Sequence, residues 1–179
     1  MDPVKIFLLG CMACLAGLQA QEEPALRWEP GLRLSWSDFR GQAPDSKRIA
    51  ATTASGLSYH YTARGGNSGY TLDFTVDTFF YPEKSWYHPD LCDALVLSHE
   101  QLHFDISELY ARRLRRRLQT AEFTDRVKAE VRQIFAEVNR QLSEFQDRYD
   151  RETDFSRNRE AQLAWNRAVA RMLSELPVR

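Results

Sequence analysis

His99-Glu100-Gln101-Leu102-His103 is the stretch of this 179-residue chain that most restricts its fold. Histidines four apart reach a common point when the backbone between them is helical, because positions i and i+4 then stack on one face. Glu100 directly follows the first histidine, so its carboxylate stands beside whatever the two imidazoles hold. The flanks agree with a helix. His88-Pro89-Asp90 is a start signal, with proline in the first turn and Asp90 and Asp93 near the positive end of the helix dipole. Leu91, Ala94, Leu95, Leu102, Ile106 and Leu109 recur at helical spacing. The pattern predicts one helix over Pro89 to Gln119. Its basic run, Arg112 to Arg117, alternates with Leu114 and Leu118 and reads as a solvated face suited to the helix C-terminus.

Before this helix the chain alternates as strands do. Leu32 to Trp36 predicts a strand, followed by a turn and a loop over Gly41 to Arg48. Ala50 to Thr53 leads into Gly56 to Tyr61, where Leu57, Tyr59 and Tyr61 share a face. Arg64 to Gly69 is a turn, and Tyr70, Leu72, Phe74 and Val76 form the next face. Together they predict a hairpin with a loop longer than the tightest type. Phe79 to Trp86 extends the sheet. After the long helix, Val127, Val131, Ile134, Val138, Leu142 and Phe145 predict a second helix from near Thr124 to about Tyr149. Asp150 to Ser156 reads as irregular, and Asn158 to Leu173 as a last helix. The expected class is α+β, an antiparallel sheet packed on two or three helices.

Residues 1–20 read as a signal peptide, with Lys5, an apolar run from Ile6 to Leu18, and Ala20 before the cut. That leaves a single domain over residues 21–179, exported to a bacterial periplasm or exterior. Leu8-Leu9-Gly10-Cys11 resembles a lipoprotein box, but cutting there would leave too short an apolar run. The net charge of −1 argues against a nucleic-acid partner. No other run is long enough to span a membrane. Of three cysteines, Cys11 and Cys14 leave with the signal, so Cys92 has no partner for an intrachain disulfide. It reads as a buried small residue rather than a ligand. Oligomeric state is not legible.

The H-E-x-x-H pattern is that of the zincin helix, in which His99 and His103 bind Zn2+ and Glu100 is general base. The expected function is therefore a secreted zinc-dependent hydrolase, a metallopeptidase acting on a peptide or protein. The alternative is an envelope binding or structural module that keeps the helix without turnover. A catalytic zinc takes three protein ligands. The extension that supplies a third histidine is absent, since Ile106 and Leu109 stand where its glycine and histidine would be. A later carboxylate remains: Asp150, Glu152, Asp154 or Glu160. His60 reads as solvated on its strand and His88 as a helix-start residue. Tyr149 is either a buried aromatic or a donor to an oxyanion. Asp105 either orients a ligand histidine or caps the surface.

Several blocks carry a family resemblance. They are Leu34-Ser35-Trp36-Ser37-Asp38-Phe39-Arg40-Gly41, Ala50-Ala51-Thr52-Thr53, Ser85-Trp86, His99 to Ile106, Tyr149-Asp150-Arg151-Glu152-Thr153, and Gln162 with Trp165. From about Leu34 to Trp165 the chain resembles a family of bacterial proteins described as predicted secreted zinc-dependent proteases. The resemblance implies a zincin-like metal site. It also implies a histidine two positions after Thr153, where this chain has Phe155, which cannot bind a metal. Asp154, its neighbour, is then the simplest substitute ligand.

Overall fold

The computed structural model describes residues 25–66 and 69–176. The expected signal peptide, residues 1–20, lies outside them. The architecture is α+β, as expected, with an antiparallel N-terminal half and three helices. Strand β3 (Ser55–Gly66) pairs with β4 (Gly69–Phe80) along its whole length, and β1 (Leu26–Arg27) adds to the other edge of β4. The register puts Tyr59 opposite Val76 and Tyr61 opposite Phe74, so the predicted apolar faces coincide. Pairing continues to Gly66 and Gly69. Only residues 67–68 remain between the strands, so the connection is shorter than expected.

Two N-terminal expectations are corrected. Leu32 to Trp36 is not a strand. Ser35 bonds through its backbone N–H to the Asp38 carboxylate at 2.7 Å, and Trp36–Asp38 closes a 3-10 turn. This local capping replaces a ladder. The Leu34 N–H is satisfied instead by Gln101 Oε1 at 2.7 Å, and its side chain packs with Phe39, Phe80 and Phe104 in a second core. Nor does Phe79 to Trp86 simply extend the sheet. A 3-10 turn at Pro82–Lys84 intervenes, and β5 (Trp86–Tyr87) pairs with β2 (Ala51–Thr52) as a separate ribbon.

Helix α1 (Ala94–Thr120) is the centre of the molecule, packed by β3 and β4 and by α2 (Val127–Thr153) and α3 (Arg159–Glu175). It starts later than expected. Pro89–Leu91 forms its own 3-10 turn, and the extended Asp93 caps α1 by accepting from the N–H groups of Leu95 and Val96. Leu91 consequently falls outside the helix and is exposed. Helix α2 starts at Val127 rather than near Thr124. It continues through Asp150 to Thr153, a stretch read as irregular, because the Thr153 hydroxyl bonds back to the Tyr149 carbonyl at 2.8 Å. Asp154 then ends it in the left-handed conformation. Asn158 caps α3 through the Ala161 N–H.

The basic run is not wholly solvated. Arg112 and Arg115 lean inward and bond Glu108 Oε1 at 2.9 and 3.0 Å, and Thr78 donates to Oε2 of the same carboxylate. Arg112 Nη1 also donates to the Leu173 and Leu176 carbonyls at the C-terminus of α3. The reason is burial on every side: a guanidinium on α1 reaches a carboxylate one turn back before it reaches water. Glu108→Ala leaves two cations with a lost partner in the interior. It should cost about 3–5 kcal/mol, read as a lower urea midpoint with an unchanged slope.

Candidate metal centre

The i, i+4 spacing does what helix geometry requires. His99 and His103 are both buried, their rings edge to face with centroids 4.8 Å apart, and their Nε2 atoms lie 3.2 Å from each other. Asp150, in the last turn of α2, completes the group. Its Oδ1 is 3.1 Å from His99 Nε2 and 2.9 Å from His103 Nε2. A tetrahedral ion with bonds of about 2.0–2.1 Å separates its ligand atoms by roughly 3.3 Å. The three observed edges are close to that value, so the cluster could hold a metal ion.

The surrounding amides set the chemistry of the rings. His99 Nδ1 is 2.9 Å from Gln162 Oε1, and His103 Nδ1 is 2.6 Å from Gln146 Oε1. The amide orientations are consistent, since Gln162 Nε2 donates to Asn166 Oδ1 and Gln146 Nε2 donates to Ser107 Oγ. Each imidazole therefore donates from Nδ1 and turns Nε2 toward Asp150. In neutral rings this points two nitrogen lone pairs and a carboxylate oxygen at one spot, which only a cation or a proton relieves. Burial alone would lower the His103 pKa, but Asp150 and Glu100 outweigh it and raise it. Burial alone would likewise raise Asp150, yet its contacts with His103 and His99 hold it well below the usual carboxylate range.

Glu100 is buried beside the cluster. Its Oε2 is a buried side-chain oxygen with no hydrogen-bond partner among the described residues, a costly arrangement unless a group arrives to use it. The cluster opens into a cleft of about 410 Å³. One wall is Ile49 to Thr53, another is the α2 face carrying Asn139, Leu142, Ser143, Gln146 and Asp147, and Phe155 and Ser156 lie at the rim.

The other candidates fall elsewhere. Asp154 is not the third ligand. It is exposed as the C-cap of α2 and pairs with Arg157 at 3.3 Å. Glu152 is exposed and accepts from Trp165 Nε1 at 2.9 Å, and Glu160 is exposed in the first turn of α3. His60 is exposed on β3. His88 is buried at the 3-10 turn, with Nε2 3.3 Å from the Ser46 carbonyl. Cys92 donates to the Ala50 carbonyl, and burial pushes its thiol pKa up. Asp105 does not orient a ligand: two residues past His103 it faces away, accepting from Trp28 Nε1 at 2.8 Å and Gln101 Nε2 at 3.1 Å. Tyr149 is not placed as an oxyanion donor. It is fully buried, stacks on His99 at 4.5 Å, and its hydroxyl is shared between Gln162 and the His99 carbonyl. Gln146 was missed by sequence reasoning, although it precedes Asp150 by one turn on the same face of α2. Gln162 was legible only as part of a resemblance block, because its approach depends on how α3 packs.

Titration against a chromophoric chelator with zinc as probe should separate the carboxylates. Asp150→Ala should abolish stoichiometric binding, while Asp154→Ala should leave it intact. Gln146→Ala and Gln162→Ala should each weaken it by about 10- to 100-fold. Unchanged binding in Asp150→Ala would place the third ligand elsewhere.

No curated protein and no solved structure matches the chain. One family does, over residues 30–158, a span that holds His99, Glu100, His103, Gln146 and Asp150 and stops before Gln162. The chain thus belongs to DUF922, a family of bacterial proteins of unknown function.

Proposed function

We propose that the protein is an exported zinc-dependent peptidase with a zincin-like centre. His99, His103 and Asp150 are the zinc ligands and Glu100 is the general base. The observation that carries this reading is the convergence of three ligand atoms within 3.2 Å of one another beside the unpartnered Glu100 oxygen, on the floor of an open cleft. Two histidines and one carboxylate form an open catalytic set that leaves a fourth position free. Bound zinc supplies Lewis acidity toward water and a scissile carbonyl. Glu100 takes the proton of the attacking water and returns it to the leaving amine. Gln162 and Gln146 keep both rings donating from Nδ1, so that Nε2 stays available. Tyr149 fixes the His99 ring by stacking.

The cleft wall supports an extended peptide as substrate. The His88 N–H bonds the Ala50 carbonyl at 2.8 Å, and the Tyr81 N–H bonds the Ala54 carbonyl at 2.9 Å. Ala50 therefore directs its carbonyl toward the β5 side, and Ala54 directs its own toward the end of β4. By the alternation of an antiparallel ladder, Ala51 and Thr53 direct their backbone groups away from β5, and both line the cleft. A strand laid along that edge gains main-chain hydrogen bonds. The Asp150 carboxylate, placed beside both histidines, supports this reading over a binding module without turnover by supplying a third possible ligand in place of the histidine that Phe155 lacks. Export rests on Lys5, Ile6 to Leu18 and Ala20. Among the described residues no helix is long and apolar enough to cross a membrane.

Glu100→Gln should keep zinc and fold but lose about 10²- to 10⁴-fold in turnover of unfolded protein substrates, compared at equal zinc occupancy. Equal activity in variant and wild type would eliminate Glu100 as base. Isolation with iron in place of zinc would turn the assignment toward oxygen chemistry, which also uses two histidines and a carboxylate. N-terminal sequencing of exported protein should begin near Gln21. A chain still starting at Met1 would reject export by cleavage.

A further inference from the structure

Four large apolar side chains stand out as exposed among the described residues: Ile49, Leu91, Phe155 and Leu163. Two of them, Ile49 at 47% and Phe155 at 49%, line the cleft that holds the metal cluster. They come from distant parts of the chain, one just before β2 and one in the connector between α2 and α3. A chance exposed leucine needs no explanation, but two large apolar groups on the rim of a polar centre do.

The connector adds an independent observation. Asp154, Phe155 and Ser156 have φ of 46°, 50° and 74°, three consecutive non-glycine residues in the left-handed region. Each such residue is unfavourable relative to glycine, and strain of this kind persists where the surroundings enforce it. Here the enforcement is visible. The Phe155 N–H donates to the Asp150 carbonyl at 2.9 Å, and the Asn158 N–H donates to the Thr153 carbonyl at 2.8 Å. Phe155 is thus held by its backbone to the residue that supplies the carboxylate ligand, and its ring is displayed rather than packed. The charged groups lining the cleft, Glu100, Asp147 and Asp150, are all acidic.

We infer that Phe155 and Ile49 form a specificity subsite that takes a large apolar side chain of the peptide next to the scissile bond. This deepens the peptidase reading and rests on it. A side chain seated there covers apolar surface that water now meets, and the acidic lining disfavours an Asp or Glu in its place. In an apolar pocket one methylene more or less changes the preference by about 10- to 200-fold.

The test uses binding rather than turnover. Glycine, leucine and phenylalanine hydroxamates carry the same metal-chelating group beside a variable side chain. Their affinities are measured by calorimetry on the full-length zinc-loaded protein, with zinc content determined separately. Phenylalanine and leucine hydroxamates should bind at least about tenfold tighter than glycine hydroxamate. Phe155→Ala and Ile49→Ala should each reduce that preference, and the double variant should remove it. Phe155→Gly suits the positive φ, so it keeps the fold and must reduce the preference at least as much as Phe155→Ala. Equal affinities for the three probes, no binding of any probe to zinc-loaded protein, or a preference that survives the double variant would overturn the subsite while leaving the zinc centre standing. Failure of the wild type to take up zinc would overturn both.

Discussion

Helix α1 is enclosed on nearly every face, by the hairpin on one side and by α2 and α3 on the other, and this enclosure sets the terms for the rest of the molecule. A helix in that position cannot carry polar side chains unless each finds a partner inside the protein. The protein supplies these partners. Gln101 takes the Leu34 N–H, Asp105 takes Trp28, Glu108 takes Thr78 and two arginines, and the histidines take two glutamines and Asp150. Apart from the two arginines, which lie on α1 itself, these pairings tie other segments to the same helix. Specificity of packing follows from satisfying those groups as much as from filling space. Glu100 departs from the rule, with one oxygen left unpartnered, and it is the group whose proposed role needs a free acceptor.

The cluster also couples folding to whatever cation it holds. His99 and His103 lie on α1, Asp150 and Gln146 on α2, and Gln162 on α3, so one ion or proton engages all three helices. Binding energy at such a site is also energy of holding the helices together. A metal ion engages all three ligand atoms at once and removes the conflict between facing lone pairs. Metal should therefore stabilise the native chain by an amount that grows with the logarithm of free metal over its dissociation constant.

How much was legible in the sequence depends on how local each feature is. The histidine pair was legible because a single helix fixes both positions. The hairpin faces were legible because period-two alternation survives in β3 and β4. Leu32 to Trp36 alternated too, yet Ser35 and Asp38 close a turn there, and local capping outweighed pattern. Asp150 stood among four carboxylates with nothing to rank it first. Choosing it required knowing that α2 runs on to Thr153, which places Asp150 one turn beyond Gln146 and on the same inward face. Asp154 was favoured by adjacency to Phe155, and adjacency is a poor guide at a helix end. The left-handed turn that follows Thr153 swings Asp154 out to solvent.

That same turn changes the meaning of Phe155. Read as a lost ligand, the residue counts against chemistry. Under the proposed function it need not be read so, because Asp150 would supply the third ligand beside His99 and His103, and a fourth protein ligand would close the position that hydrolysis needs open. A side chain at 155 that does not bind metal keeps that position open. In the proposed subsite, a large apolar one would give substrate a surface to pack against. The chain holds this arrangement against two unfavourable terms, an exposed phenyl ring and three residues with positive φ. Folding alone would be better served by glycine in the backbone and a polar group at the rim. That the connector has no glycine at its three positive-φ positions and displays a phenyl ring at position 155 is the strongest sign that its geometry answers to the cleft rather than to the stability of the helices it joins.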